Sequence, residues 1–232
     1  ERKKRHRKNL PKMVQDYYQG LNYLLDEQQD LAVDTFLDTL IVGNDTFETY
    51  VALASHVRRR GEIDKAIRIH HKLLECPVLS ERNSAWAKLE IARDYLLAGL
   101  LGRAETILLE LAKQKELKTE AVEHLIEIYQ RESDWEKAEE VARQLMGTDD
   151  SNIRKTLAHF VCEMVEEKLE NGDVYSAREL LRRAGEYDDS CFRVCLLRAR
   201  TDYESKYYEE SLKHLRRARD LRPDLAGSTL EL

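Results

Sequence analysis

A chain of 232 residues that is 42% hydrophobic and 35% charged, with 9 glycines and 3 prolines, is too apolar to stay disordered and reads as helix-rich. Its formal charge of −6 is uneven: residues 1–12, ERKKRHRKNLPK, hold seven Lys or Arg against one Glu, so the rest of the chain carries −12 (−6 less +6). That acidic body excludes broad nucleic-acid binding, which needs a basic face.

In chain order, the basic leader 1–12 comes first. It has four readings: a nucleic-acid tail, a nuclear signal, solvated disorder, or the cytoplasmic flank of a transmembrane helix. The sequence opens on Glu1 rather than Met, so an upstream segment is expected. No stretch reaches the roughly 20 apolar residues of a membrane span, YLLAGLLG (95–102) being the longest candidate.

From there a single pattern recurs. An alanine in comparable context appears as Ala32 (DLAVDTF), Ala66 (DKAIRIH), Ala104 (GRAETIL), Ala138 (EKAEEVA) and Ala177 (YSARELL), and Ser211 (ESLKHL) takes the sixth place. The spacings are 34, 38, 34, 39 and 34. Twelve residues earlier stand Gly20, Ala54, Ala92, Ile126, Val165 and Ala199; nine earlier stand Tyr23, Val57, Tyr95, Tyr129, Lys168 and Asp202. Five earlier stand Glu27, Gly61, Gly99, Ser133, Gly172 and Lys206.

A period of 34 with insertions resembles the tetratricopeptide repeat. Small residues at the middle of each helix let two antiparallel helices approach closely, and glycine ends the first helix where a positive φ is wanted. Asp64, Asp134 and Asp173 are expected to cap the second helices. One α-hairpin cannot bury its own apolar face, so successive hairpins stack. The expected fold is all-α: a right-handed superhelix of six stacked hairpins occupying 13–222, with units near 13–43, 47–76, 85–115, 119–147, 155–186 and 192–222. Residues 77–84 and 148–154 read as extended loops, and 223–232 as the opening of a seventh repeat. Both ends read as cuts through a longer chain.

Signals for chemistry are weak. His70 and His71 point in different directions and lack a further ligand nearby, so no metal is expected there. Cys76, Cys162, Cys191 and Cys195 form no C-x-x-C pair and read as reduced thiols; Cys191 and Cys195, four apart on a helix, read as packed neighbours. There is no nucleophile elbow, Gly-rich phosphate loop or H-E-x-x-H, and the glutamates read as solvated helix faces, so the chain is not expected to be an enzyme.

What remains is a binding surface. In stacked hairpins one stripe of each first helix lines the inner wall. The register places Tyr17, Leu21 and Leu24 there, then Val51, Ser55, Arg58 and Arg59, then Trp86, Leu89 and Arg93. Glu120, Glu123 and Glu127 follow, then Cys162 and Glu166, then Arg193, Leu196, Arg200 and Tyr203. A basic belt and an acidic one select a partner of opposite pattern. Arg58, Arg59 and Arg93 with Trp86 as apolar anchor are the expected core of binding, so Arg58→Ala with Arg93→Ala is expected to weaken binding while sparing stability. The alternative is that Arg58 and Arg59 pair with Glu on a neighbouring hairpin. A clamp for a C-terminal carboxylate is not expected, because its Lys and Asn positions carry Tyr17, Leu21, Val51 and Ser55.

QDYYQGLNYLLDEQQDLAVDTFLDTL (15–40), RRRGEIDKAIRIHHKLLE (58–75) and ARDYLLAGLLGRAETILLEL (92–111), behind a basic leader, resemble the lipopolysaccharide assembly protein B family. The resemblance continues in register to about residue 222, weaker after 150. It implies a protein of the Gram-negative inner membrane facing the cytoplasm, with one N-terminal transmembrane helix and a C-terminal rubredoxin-like zinc module. Neither part lies in this sequence, so no cofactor is expected in it. The implied role is a non-enzymatic adaptor controlling lipopolysaccharide synthesis. Its implied partners are a membrane-anchored AAA+ protease, the lipid A pathway deacetylase it degrades, and a restraining inner-membrane sensor protein. The leader then reads as the positive-inside flank of the anchor. The alternative is a generic tetratricopeptide scaffold for a secretion or cell-envelope assembly complex, and self-association stays open.

Overall fold

A computed structural model describes residues 46–147 and 151–225, together with residues 18–20, 22, 23, 31 and 35. The leader, Tyr17, Leu21, Leu24 and most of the first expected unit lie outside the described residues.

The described residues from 46 onward form helices without strands. They are α1 (Phe47–Arg59), α2 (Ile63–Leu74), α3 (Glu81–Leu97), α4 (Leu101–Leu111), α5 (Lys118–Arg131), α6 (Trp135–Arg143), α7 (Ser151–Glu170), α8 (Val174–Tyr187), α9 (Phe192–Glu204) and α10 (Tyr208–Leu221). They pair in sequence as five antiparallel hairpins of tetratricopeptide type. The chain divides into two compact units, one ending at Leu117 and one beginning at Lys118.

The register explains the pairing. Ala54 and Ala66, Ala92 and Ala104, Val165 and Ala177 are all fully buried, which lets the two helix backbones of each hairpin close on one another. Ser211 replaces alanine in the last hairpin. Its Oγ donates to the carbonyl of Ala199, twelve residues back, at 2.8 Å, so the hydroxyl enters the contact without an unmet hydrogen bond.

Each turn is a Schellman motif built at the residue five before the reference alanine. Gly61, Gly99 and Gly172 take φ of +84, +73 and +73° there. Ser133 and Lys206 adopt φ of 57 and 66° in the same place, a left-handed conformation that costs a side-chain-bearing residue about 1 kcal/mol. The geometry is shared: Leu100 N donates to Tyr95 O at 2.9 Å, Asp134 N to Tyr129 O at 2.9 Å, and Tyr207 N to Asp202 O at 2.8 Å.

Two expectations need correction. Asp134 and Asp173 cap α6 and α8, accepting from Lys137 N at 3.2 Å and Ser176 N at 3.0 Å. Asp64 does not cap, because the N-cap position falls four residues before the alanine, at Glu62; Asp64 lies in the first turn, where its negative charge complements the positive end of the helix dipole. Of the insertions expected as extended loops, 81–84 and 151–154 are helical, while 148–150 lie outside the described residues. Ser80 Oγ accepts from Asn83 N at 3.2 Å and starts α3 at Glu81, and α7 starts at Ser151. First helices of 17 and 20 residues, against 13 in α1, absorb the spacings of 38 and 39.

In the first unit Phe47, Tyr50, Leu53 and Val57 of α1 meet Ile69 and Leu73 of α2 and Ala87 of α3, with Trp86 half-buried against them. In the second, Val161, Met164 and Val165 of α7 pack with Leu181 of α8 and with Val194 and Leu197 of α9. Among the described residues no helix is long and apolar enough to cross a membrane.

Candidate protein-binding site

The sharpest polar feature of the first unit is built by three helices. Arg58, in the last turn of α1, sends Nη2 to Glu90 Oε2 at 2.8 Å and Nη1 to Asp94 Oδ1 at 3.0 Å, both on α3. Ser55 Oγ takes a further bond from Nη2 at 3.2 Å. The second Glu90 oxygen accepts from Arg93 Nη1 at 2.6 Å, and the second Asp94 oxygen lies 2.6 Å from His70 Nδ1 on α2. Asp94 and His70 are fully buried, and Glu90 nearly so. Burial raises the Glu90 carboxyl, and the guanidiniums of Arg58 and Arg93 more than offset it, so its pKa ends below the ordinary carboxylate value. The neighbouring His71 turns elsewhere and meets Tyr95 Oη at 2.9 Å.

This redistributes the expected basic belt. Arg58 and Arg93 come together, but through Glu90, and the Arg58 guanidinium is engaged inside the unit. The pairing alternative therefore holds for Arg58, and the expected indifference of stability to its loss does not follow. Arg59, one residue on, faces solvent and makes no ion pair among the described residues. Leu89 and Cys162, placed on the stripe by register, are fully buried core residues; Cys162 packs with Cys191 at the start of α9.

Trp86 lies two helical turns before Arg93 on α3. It lines a cleft of about 860 Å³ between the start of α3 and the end of α4, with Leu79, Ala85 and Leu117 as apolar wall. Arg82 and Lys115 stand at its rim, exposed and without ion-pair partners among the described residues, beside Glu81 and Glu116. Lys88 is held by Glu110 at 2.6 Å, tying the helices that bound it. An aromatic ring on an apolar wall with unpaired cations at the rim is suited to receiving side chains of a partner.

In the second unit Glu127 is held by Arg131 at 2.5 Å and lies 3.6 Å from His124. Glu123 borders a smaller cleft of about 290 Å³ with Ile126, Leu145 and Ile153, while Glu120, half-buried, stands one turn earlier on α5. Arg200 pairs with Glu204 along α9 at 3.0 Å. Arg193 is engaged by Glu163 at 2.5 Å and Glu166 at 2.9 Å, which fixes α9 to α7 and raises its own pKa.

Sequence reasoning passes over Glu90 and Asp94, although two carboxylates four apart in a stretch whose only other charge is Arg93 (LEIARDY) are a signal of an internal partner. It also passes over Glu139, nearly buried on α6, which accepts from Tyr187 Oη at 2.7 Å and from Arg143 and Arg183. Burial first, and then the Glu139 carboxylate, raise the Tyr187 pKa. No group of three or more His, Cys, Asp or Glu among the described residues is placed to hold a metal ion.

The chain is 34% identical over 221 residues to lipopolysaccharide assembly protein B of Escherichia coli strain K12, a match over 95% of this chain and 57% of the relative. The Haemophilus influenzae protein of the same name is 32% identical over 227 residues, covering 94% and 57%. The chain thus spans 57% of the length of the curated relatives it matches. No family model matches. Among solved structures, MamA superposes with a TM-score of 0.51 at 17% identity, over 79% of this chain and 95% of MamA, a likeness of fold alone.

Proposed function

Homologous along nearly its whole length to lipopolysaccharide assembly protein B, the chain belongs to that family, and we propose that it is an adaptor holding protein partners for the control of lipopolysaccharide synthesis. The adaptor brings the lipid A pathway deacetylase to a membrane-anchored AAA+ protease, at the cytoplasmic side of the inner membrane, and an inner-membrane sensor protein restrains it. The observation that carries a binding role is the cleft at Trp86: concave, apolar along one wall, with Arg82 and Lys115 left free to meet a partner. The work it performs is positional. Holding substrate and protease together raises their effective concentration without any change of bonds on the adaptor itself.

The test is made in cells carrying the full-length protein, with Arg82→Ala and Lys115→Ala introduced together. Both side chains are exposed, so folding is untouched. A lengthened deacetylase half-life, with less deacetylase recovered on the adaptor, supports the reading. Normal deacetylase turnover in cells lacking the protein altogether removes this function and leaves a general scaffold role.

A further inference from the structure

The second unit carries a notch that the proposed function does not use. It lies where the first turn of α6 approaches the end of α7 and the start of α8, has a volume of about 220 Å³, and is floored by Met164 and Leu180. Tyr175 forms one side. At 79% exposed, its ring is the most solvent-open of the large hydrophobic side chains among the described residues. The repeat register makes this placement unusual. At the same position the other second helices carry Asp64, Gly102, Glu136 and Glu209, residues with no ring to leave in water.

The rim is acidic. Glu136, Glu167 and Glu179 border the notch against Lys168 as its one cation among the described residues. Glu136 and Glu167 have no ion-pair partner among the described residues, and Glu179 has a single long contact of 3.7 Å to the exposed Arg182. An apolar floor, an aromatic face and surplus carboxylates together describe the complement of a long cationic side chain. Its methylene stem lies on Met164 and Leu180, and its head reaches the ring and the glutamates. The volume admits one such side chain rather than a folded element.

We propose that this notch receives a Lys or Arg side chain presented by a partner protein. An acidic side chain is rejected by the rim, and a purely apolar one leaves the rim unanswered. The notch belongs to the second unit and the Trp86 cleft to the first, and the proposal stands whether or not that cleft binds.

The test uses the whole chain and follows the Met164 and Leu180 methyl resonances. The probes are a blocked tripeptide, acetyl-Ala-Arg-Ala-amide, and the same peptide with neutral citrulline for Arg. The expected result is a saturable shift with the arginine peptide and none with the citrulline peptide. Glu136→Gln with Glu167→Gln should weaken binding at least about fivefold, and Tyr175→Ser about threefold. Lys168→Gln should strengthen it, since it removes a like charge. The melting temperature reports that each variant remains folded. Equal shifts with both peptides, no saturable shift with either, or arginine binding that neither weakens in the glutamine variant nor strengthens in Lys168→Gln overturns the proposal.

Discussion

Asp94 accepts from Arg58 at 3.0 Å, though thirty-six residues and one intervening helix separate them, and the Asp94 side chain is wholly buried while that of Arg58 keeps 15% of its surface. Breaking such a pair leaves a charge in the interior without its partner. Arg58→Ala is therefore expected to destabilise the first unit by about 3 kcal/mol or more, seen as a lower urea midpoint. Arg59→Ala, one residue on and solvent-facing, should change it by less than about 0.5 kcal/mol. Equal small effects would show that the Arg58 pairs contribute nothing to stability.

The same network sets an acid limit. The folded Glu90 pKa lies below its ordinary value, so folding favours the carboxylate. Its contribution is complete above the unfolded carboxylate pKa and is lost as pH falls through the lowered folded value. Without Arg58, burial acts against Arg93 alone and the Glu90 pKa rises. Urea titrations between about pH 7 and about pH 3 should show a smaller acid-linked loss of stability in Arg58→Ala than in the parent, because the gap between the folded and unfolded Glu90 pKa narrows. An equal acid-linked loss in the two proteins would separate Glu90 from acid stability.

The repeat period is legible in the sequence because one small residue per helix is a steric requirement, repeated wherever two backbones close. The partners of Arg58 are not legible in the same way. They depend on where Glu90 and Asp94 fall once α3 has stacked on α1, thirty-two and thirty-six residues downstream. Register alone also assigns Leu89 and Cys162 to a surface that stacking covers. The start of α3 is a different case, because its signal is local. Ser80 is a residue type that caps helices and so marks where α3 begins, whereas the period alone points to a loop.

The left-handed turn residues make a two-way prediction. Ser133→Gly and Lys206→Gly should each stabilise by about 1 kcal/mol, because the Schellman geometry stays while the side chain's steric cost is removed. Gly99→Ala should lose about the same amount. An added Cβ there meets nothing within 4 Å, so the penalty is purely one of backbone conformation. Thermal melts decide it, and a Gly99→Ala protein as stable as the parent would mean that the turn relaxes out of the left-handed region.

The last prediction tests how closely the helices of one hairpin approach. Ser211 donates to Ala199 O at 2.8 Å and is nearly buried, so its hydroxyl fits a contact that four other hairpins make with alanine. Ser211→Ala should cost no more than about 1 kcal/mol, since it removes a hydrogen bond and leaves the carbonyl its helical partner. Ser211→Leu should cost about 1–3 kcal/mol or more, because added methylenes have no space between two close backbones. The converse change, Ala177→Ser, places a hydroxyl opposite the carbonyl of Val165, the residue twelve earlier and likewise fully buried. If the hairpins share one approach distance, this serine finds its acceptor and costs less than about 1 kcal/mol. A loss above about 2 kcal/mol, measured by urea unfolding, would show an unmet buried hydroxyl and hence a different helix spacing in α7 and α8.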